Sequence, residues 1–235
     1  MARFLRTFGK LLVGLFIFVA IPLLAWGVGD LAGFFANPAR AAFVVVTVLL
    51  QVVIVLALPE AGGGAGPGVK RVARQRVALA LLQVIPLAIV VAAPWGDRRG
   101  VGVLANHDVV RWAGVVLYLL GFAGMEWAEA SLGRQFSVQV TVQEGHRLVT
   151  GGPYRYLRHP RYLGILGFAV GYAQVFRSWL ALALAAPLLA VLLWRIHDEE
   201  ALMAREFGAE WAAYAARSWR LVPFVTRRHE RTRVR

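Results

Sequence analysis

Long apolar runs alternate with short polar segments along this chain. The first run extends from residue 11 to about 28, behind Arg3, Arg6 and Lys10; others cover 41–58, 77–94 and 109 to about 130. Each approaches the ~20 residues that a helix needs to cross a bilayer. The last run, 162–194, is apolar except for Arg177 and too short for two full spans. It reads as a tight hairpin turning at Phe176-Arg177-Ser178, with legs of roughly 16 residues and ~24 Å each. The pattern predicts an all-α fold: a polytopic membrane helical bundle of five to six membrane helices, the last two a tight hairpin, followed by a cytosolic C-terminal amphipathic helix.

That final helix carries the first sign of chemistry. At 100° per residue, Met203, Phe207, Trp211, Tyr214 and Ser218 share one face, and Arg205 points the opposite way. Glu200 projects near the middle of the apolar face and Glu199 onto its flank. A carboxylate on a buried face is costly unless it is paired. A structural salt bridge to Arg158 or Arg161 would satisfy it. A ligand would do so too: Glu199 or Glu200 can take an ammonium group and Arg158 a carboxylate, and an amino acid presents both.

The partner segment is 151–164, reading GGPYRYLRHPRYLG. Its prolines and glycines prevent one uninterrupted helix. Arg155, Arg158, His159 and Arg161 thus form a cationic turn at the mouth of the hairpin. His159 can act as a base, but a histidine beside Pro and Arg more often holds a turn by hydrogen bonds. Glu126 and Glu129, one turn apart near the end of the fourth run, are explained most simply as a helix end at headgroup level.

Composition narrows the class. The 235 residues are 59% hydrophobic, carry a net charge of +13 and include no cysteine. This excludes disulfides, thiolate metal sites and a cysteine nucleophile. The scattered histidines show no metal-ligand spacing. The arginines lie between apolar runs and in the tail, which suits an anionic membrane face rather than nucleic acid. The glycine-rich stretch 59–68 lacks the Lys-Ser/Thr of a phosphate loop and reads as a connector. With six crossings, Lys and Arg concentrate on the side of both termini, which predicts that the termini and the Arg158 segment are cytoplasmic. A transporter would place charges inside several spans, and they are scarce. A scaffold would rest on the basic tail alone.

The segment from Gly152 through Arg158-His159-Pro160 to Tyr162 and Gly164 resembles the RHPxYxG motif of the isoprenylcysteine carboxyl methyltransferase family, which related phospholipid N-methyltransferases share. Glu199-Glu200, Leu202, Phe207-Gly208, Trp211, Tyr214 and Pro223 resemble that family's second motif, with Trp211 where the family usually has tyrosine. Gly145 to Val149 resembles the approach to the first motif. The resemblance covers roughly 132–223 and implies a membrane methyltransferase using S-adenosylmethionine and releasing S-adenosylhomocysteine. Residues 1–100 would then be three N-terminal spans, and 101–235 a methyltransferase core with cofactor motifs at 145–164 and 195–223. By the same resemblance, Leu148, Val149, Gly152, Tyr154, Arg158, His159, Tyr162, Leu163, Gly164, Glu199 and Glu200 would contact or frame the cofactor. Arg158 and Glu200 would be the catalytic pair. The acceptor would be lipophilic, a prenylcysteine-like carboxylate or a lipid amine or thiol, reached from among membrane lipids. The residues alone do not choose among these acceptors.

Overall fold

The computed structural model describes residues 2–57, 70–71, 75–105, 108–133, 141–142 and 148–225. The glycine-rich connector, Gly145 to Arg147 and the arginine-rich tail beyond Val225 lie outside the described residues. Apart from a two-residue antiparallel ladder, in which Lys70 and Arg71 face Val142 and Thr141, the regular elements of the described residues are helices.

α1 (Ala2–Leu15), a π-turn (Phe16–Ala20) and α2 (Ile21–Trp26) form the first apolar helix. Gly27, at φ 114°, then breaks the chain into a short 3-10 turn and α3 (Leu31–Phe35), bent by 77°. α4 (Pro38–Ala57), α5 (Gln75–Arg99) and α6 (Asp108–Leu132) follow. α7 (Pro160–Val175) and α8 (Trp179–Arg217) form the hairpin, turning at Phe176-Arg177-Ser178 as the run length predicts. Among the described residues, four helices are long and apolar enough to cross a membrane, five if the bent α1–α3 pair is one span. Large apolar side chains such as Leu49, Leu56, Leu120 and Leu193 point outward from the bundle. Outward apolar faces on every long helix suit lipid and not water. The protein is an integral membrane helical bundle.

The second leg differs from the expectation of a ~16-residue span and a separate amphipathic helix. α8 has no backbone break from Trp179 to Phe207, and its first non-helical residue is Gly208, at φ 47° and ψ −116°. Nothing between Trp194 and Phe207 opposes helix, and Pro187 is accommodated within it. Beyond Gly208, Trp211, Tyr214 and Ala215 pack with Leu148, Met203 and Phe207, so the apolar face foreseen on the wheel does gather.

The most extensive helix contact is α6 with α7, and glycine makes it possible. A Cβ at Gly164 would lie 2.7 Å from the Gly121 carbonyl oxygen, and one at Gly114 2.6 Å from the Val175 nitrogen. At Gly171 it would collide with the Tyr118 backbone nitrogen. Beside this seam the core is aromatic. Phe43 meets Tyr118 edge-on at 5.0 Å and Tyr172 at 5.5 Å. Tyr118 Oη pairs with Thr47 Oγ1 at 3.0 Å, and Tyr172 Oη donates to the Val90 carbonyl at 2.8 Å, so both buried hydroxyls are satisfied.

At the end of the bundle where the α7–α8 turn lies, Asp97 has a fully buried side chain. Its carboxylate accepts from Arg40 (3.0 Å), from Arg111 (2.8 and 2.9 Å) and from Arg177 (2.9 and 3.2 Å). Arg177 itself has φ 49°, unusual for a side chain with a Cβ. The turn is held by the Leu104 amide donating to the Arg177 carbonyl (2.6 Å), the Trp179 amide to Gly102 (2.8 Å), and the Ala181 amide to the Ser178 Oγ cap (3.1 Å).

Because backbone cannot yield as a side-chain tip can, Gly171→Ala should destabilise the protein by about 1–3 kcal/mol. Gly124→Ala, whose added methyl meets nothing within 4 Å, should be neutral or stabilising. Thermal unfolding of both variants in detergent measures the difference.

Candidate functional site

Opposite the Asp97 end, the two charged segments meet. Gly152–Arg155 forms a single 3-10 turn, entered through Gly152 at φ 57°. Pro160 then starts α7, with His159 before it in a non-helical conformation and making no side-chain cap. The imidazole is turned instead toward α8.

Arg158 is 6% exposed. Its Nε donates to Glu200 Oε1 at 2.8 Å, and one terminal nitrogen donates to the Ala215 and Ser218 carbonyls at 2.8 and 2.7 Å. The Arg158 amide donates to the Trp219 carbonyl (2.8 Å) and the Trp219 amide to the Tyr156 carbonyl (2.9 Å). Tyr214 Oη donates to the Tyr154 carbonyl at 2.8 Å. The first motif is therefore clasped by the chain beyond Gly208.

His159 stands between the two acidic side chains. Its Nδ1 is 3.6 Å from Glu199 Oε2 and its Nε2 is 3.3 Å from Glu200 Oε1. Burial alone would lower its pKa, but hydrogen bonds to Glu199 and Glu200 outweigh this and hold it above the ordinary value of 6.5. The ring also stacks nearly parallel on Tyr162, centroids 5.7 Å apart. An imidazole with a carboxylate beside each nitrogen, one of them within hydrogen-bond distance, is placed as a positioning group rather than a free base.

The acidic doublet divides its work. Glu199 accepts from the Tyr162 hydroxyl and, at 3.1 Å, from Arg195, whose Nε also lies 3.1 Å from Tyr162 Oη. Glu200 takes Arg158 and, at 3.0 Å, Arg220. Consecutive residues on a helix point 100° apart, so the two carboxylates address different surroundings. On the Glu200 side is a cavity of about 300 Å³ lined by Arg158, His197, Glu200, Ala204, Trp211 and Arg220, among others. It offers both signs of charge and an aromatic face, a donor set able to hold a zwitterionic ligand. On the other side, within the bundle, an apolar cavity of about 530 Å³ runs between Ile17 and Phe18 of the π-turn, α5, α6 and α7. Its charged lining residues are Arg161 and Arg195.

Arg158, His159, Tyr162, Glu199 and Glu200 thus converge, with Tyr154 adjoining. Leu148 packs on the Trp211 cluster. Leu163 and Gly164 serve packing, the first against the main core and the second against Gly121 and Met125. Gly152 packs against Ser131. Glu129 departs from the headgroup reading: it is buried and paired with Arg161 Nε at 2.6 Å. Arg195 and Arg220 were missed. Arg195 had a signal, a lone arginine closing an apolar run; Arg220 had none.

A folded-state pKa raised on His159 fixes the sign of a pH effect. The bridge is fully formed below the unfolded pKa near 6.5 and is lost as pH rises through the raised folded value. The thermal midpoint should therefore fall as pH increases above neutrality, and His159→Gln should flatten that dependence. Melts across pH 6 to 9 in detergent test both.

Comparison with known proteins places this geometry. A sequence model of the isoprenylcysteine carboxyl methyltransferase (ICMT) family matches residues 114–205. The probable protein-S-isoprenylcysteine O-methyltransferase of Oryza sativa subsp. indica is 32% identical over 129 residues, covering 52% of this chain and 65% of that protein. Protein-S-isoprenylcysteine O-methyltransferase B of Arabidopsis thaliana is 35% identical, covering 52% and 64%. The matched part of the chain spans just under two thirds of the length of these plant relatives. A solved structure of a eukaryotic intramembrane Ras methyltransferase, ICMT, aligns with TM-score 0.44 and 18% identity over 92% of this chain and 98% of that one, a likeness that carries no weight below. The segment that holds α7, Arg158, His159 and both glutamates, within residues 114–205, is thus the part of the chain that is similar to the isoprenylcysteine carboxyl methyltransferase family.

Proposed function

We propose that this protein transfers the methyl group of S-adenosylmethionine to the carboxylate of a lipophilic, prenylcysteine-like acceptor. One observation carries the reading: a layer of paired charges, Arg158-Glu200-His159-Glu199-Arg195, separates a polar cavity with both signs of charge from an apolar cavity whose charged lining is cationic.

The polar cavity fits the cofactor's amino-acid end. Glu200 receives the ammonium, Arg158 and Arg220 the carboxylate, and Trp211 offers an aromatic face. Leu148, Val149, Gly152 and Tyr154 frame the approach, and His159 and Tyr162 fix the doublet. When bound, S-adenosylmethionine supplies a methyl group already activated by its sulfonium. The chain's own task is then alignment. Arg161 and Arg195 orient an incoming carboxylate, and the apolar walls exclude water. A carboxylate needs no base, which agrees with an imidazole held between two carboxylates. An amine would meet guanidiniums at the polar end of its cavity and be disfavoured there. Residues 101–235 are the methyltransferase core, and the spans within 1–100 complete the acceptor cavity through Ile17, Phe18, Leu79 and Val90. The site and both termini face the cytoplasm, on the Lys and Arg distribution.

Transfer of labelled methyl to a panel of prenylcysteines, phospholipid amines and small thiols is the test, and the prenylcysteines alone should react. Glu200→Gln should weaken S-adenosylmethionine binding by about 10- to 100-fold, the worth of a charge-assisted hydrogen bond. Wild-type binding that neither Glu200→Gln nor Arg158→Lys weakens would overturn the reading.

A further inference from the structure

Glu129 of α6 is buried, and its carboxylate accepts from Arg161 Nε of α7 at 2.6 Å; the two side chains are 7% and 24% exposed. The reach follows from the glycine seam. α6 and α7 run antiparallel, with Gly114 against Val175, Gly121 against Phe168, and Met125 against Gly164. Glu129 lies one turn beyond Met125, and Arg161 one turn before Gly164, so the seam continues into this pair. Both side chains therefore spring from backbones already pressed together.

α7 by itself opposes the position of Arg161. It is the second residue of the helix, where the N-terminal dipole repels a cation and a long side chain turns away toward water. Arg161 instead lines the apolar cavity beside Met125 and Ile165. The Tyr154 and Tyr162 phenols lie within reach of its charge, which puts it where that cavity adjoins the layer of paired charges. The seam does not need the pair to hold α6 on α7, because the glycine contacts already run from Gly114 to Gly164. What the carboxylate changes is the direction of the guanidinium.

Resting on the function proposed above, we propose that Glu129 is a positioning residue, which holds Arg161 in the cavity wall so that its guanidinium meets the acceptor's carboxylate. The same pair discriminates substrate from product. On methylation the acceptor oxygen gains the methyl carbon, sulfur keeps the bonding electron pair, and the acceptor's negative charge is gone. A neutral ester no longer competes for Arg161, Glu129 retains the guanidinium, and the product is released.

The test compares calorimetric binding of a prenylcysteine free acid and its methyl ester without donor, together with the acceptor KM in transfer assays. Wild-type protein should favour the acid by about 10-fold, the worth of a charge-assisted hydrogen bond. Glu129→Leu should erase most of that preference and raise KM by a similar factor, with little of the loss in kcat. Glu129→Gln, which keeps an oxygen for Arg161 Nε, should restore much of it. Arg161→Met should match Glu129→Leu, and the double variant should be no worse than Arg161→Met alone. The double variant is apolar at both positions, so it carries the test even where a stranded charge unfolds a single variant. S-adenosylmethionine affinity should hold throughout. A pair that only braces two helices would lower the melting midpoint and leave the acid-to-ester ratio at its wild-type value. That result, or additive losses in the double variant, would overturn the role of Glu129. An acid preference that depends on Glu129 without any methyl transfer would overturn the activity and leave the pair standing.

Discussion

Charge withdrawn from water must be matched within the molecule, and both ends of this bundle are built around that requirement. At one end Asp97 draws in Arg40, Arg111 and Arg177, from α4, α6 and the α7–α8 turn. Three cations on one carboxylate leave an excess of positive charge. Backbone carbonyls offset it: Arg40 also donates to Phe34 and Gly33, and Arg111 to Val175. Arg40 further lies 4.4 Å over the Trp26 ring. Losing the shared carboxylate would strand three guanidiniums at once, which is why removal of one member of a buried network costs more than the network contributes. The knot fixes where α5, α6 and the hairpin turn stand relative to one another, and hence where α7 and α8 deliver their other ends.

Those other ends carry the site. The first motif arrives on a 3-10 turn that breaks before Pro160 starts α7, and the acidic doublet on a helix unbroken to Phe207, so one is fixed by proline and the other by hydrogen-bonded pitch. His159 couples them by meeting both carboxylates.

Much of this was legible in sequence, for identifiable reasons. Hydropathy located the spans because a bilayer demands long apolar runs. The hairpin turn at 176–178 followed from a run too short for two crossings. The meeting of Arg158 with the acidic doublet followed from a carboxylate placed on an apolar helix face. The continuity of α8 was hidden because polarity changes at Trp194 and backbone does not. The α6–α7 seam was hidden because Gly121, Gly164 and Gly171 are the same letter as the glycines of loops, and only a facing backbone tells them apart. The Asp97 knot was hidden more deeply: Arg40 and Arg111 stand near the ends of apolar runs and Arg177 within one, far apart in the chain, and nothing in their spacing joins them, yet Arg40 and Arg111 are buried and Arg177 is largely covered.

The unbroken rod from Trp179 to Phe207 has a consequence for tolerated change. Adding or removing one residue between Trp194 and Asp198 would rotate everything after it by 100° and shift it by about 1.5 Å along the axis. Glu199 would then take roughly the bearing of Glu200 or lose its own, and the doublet would no longer divide between Tyr162 and Arg158. Loops absorb changes in length at their tips; here the spacing from bilayer to carboxylate is written in phase, so this stretch should admit substitution far more readily than insertion or deletion.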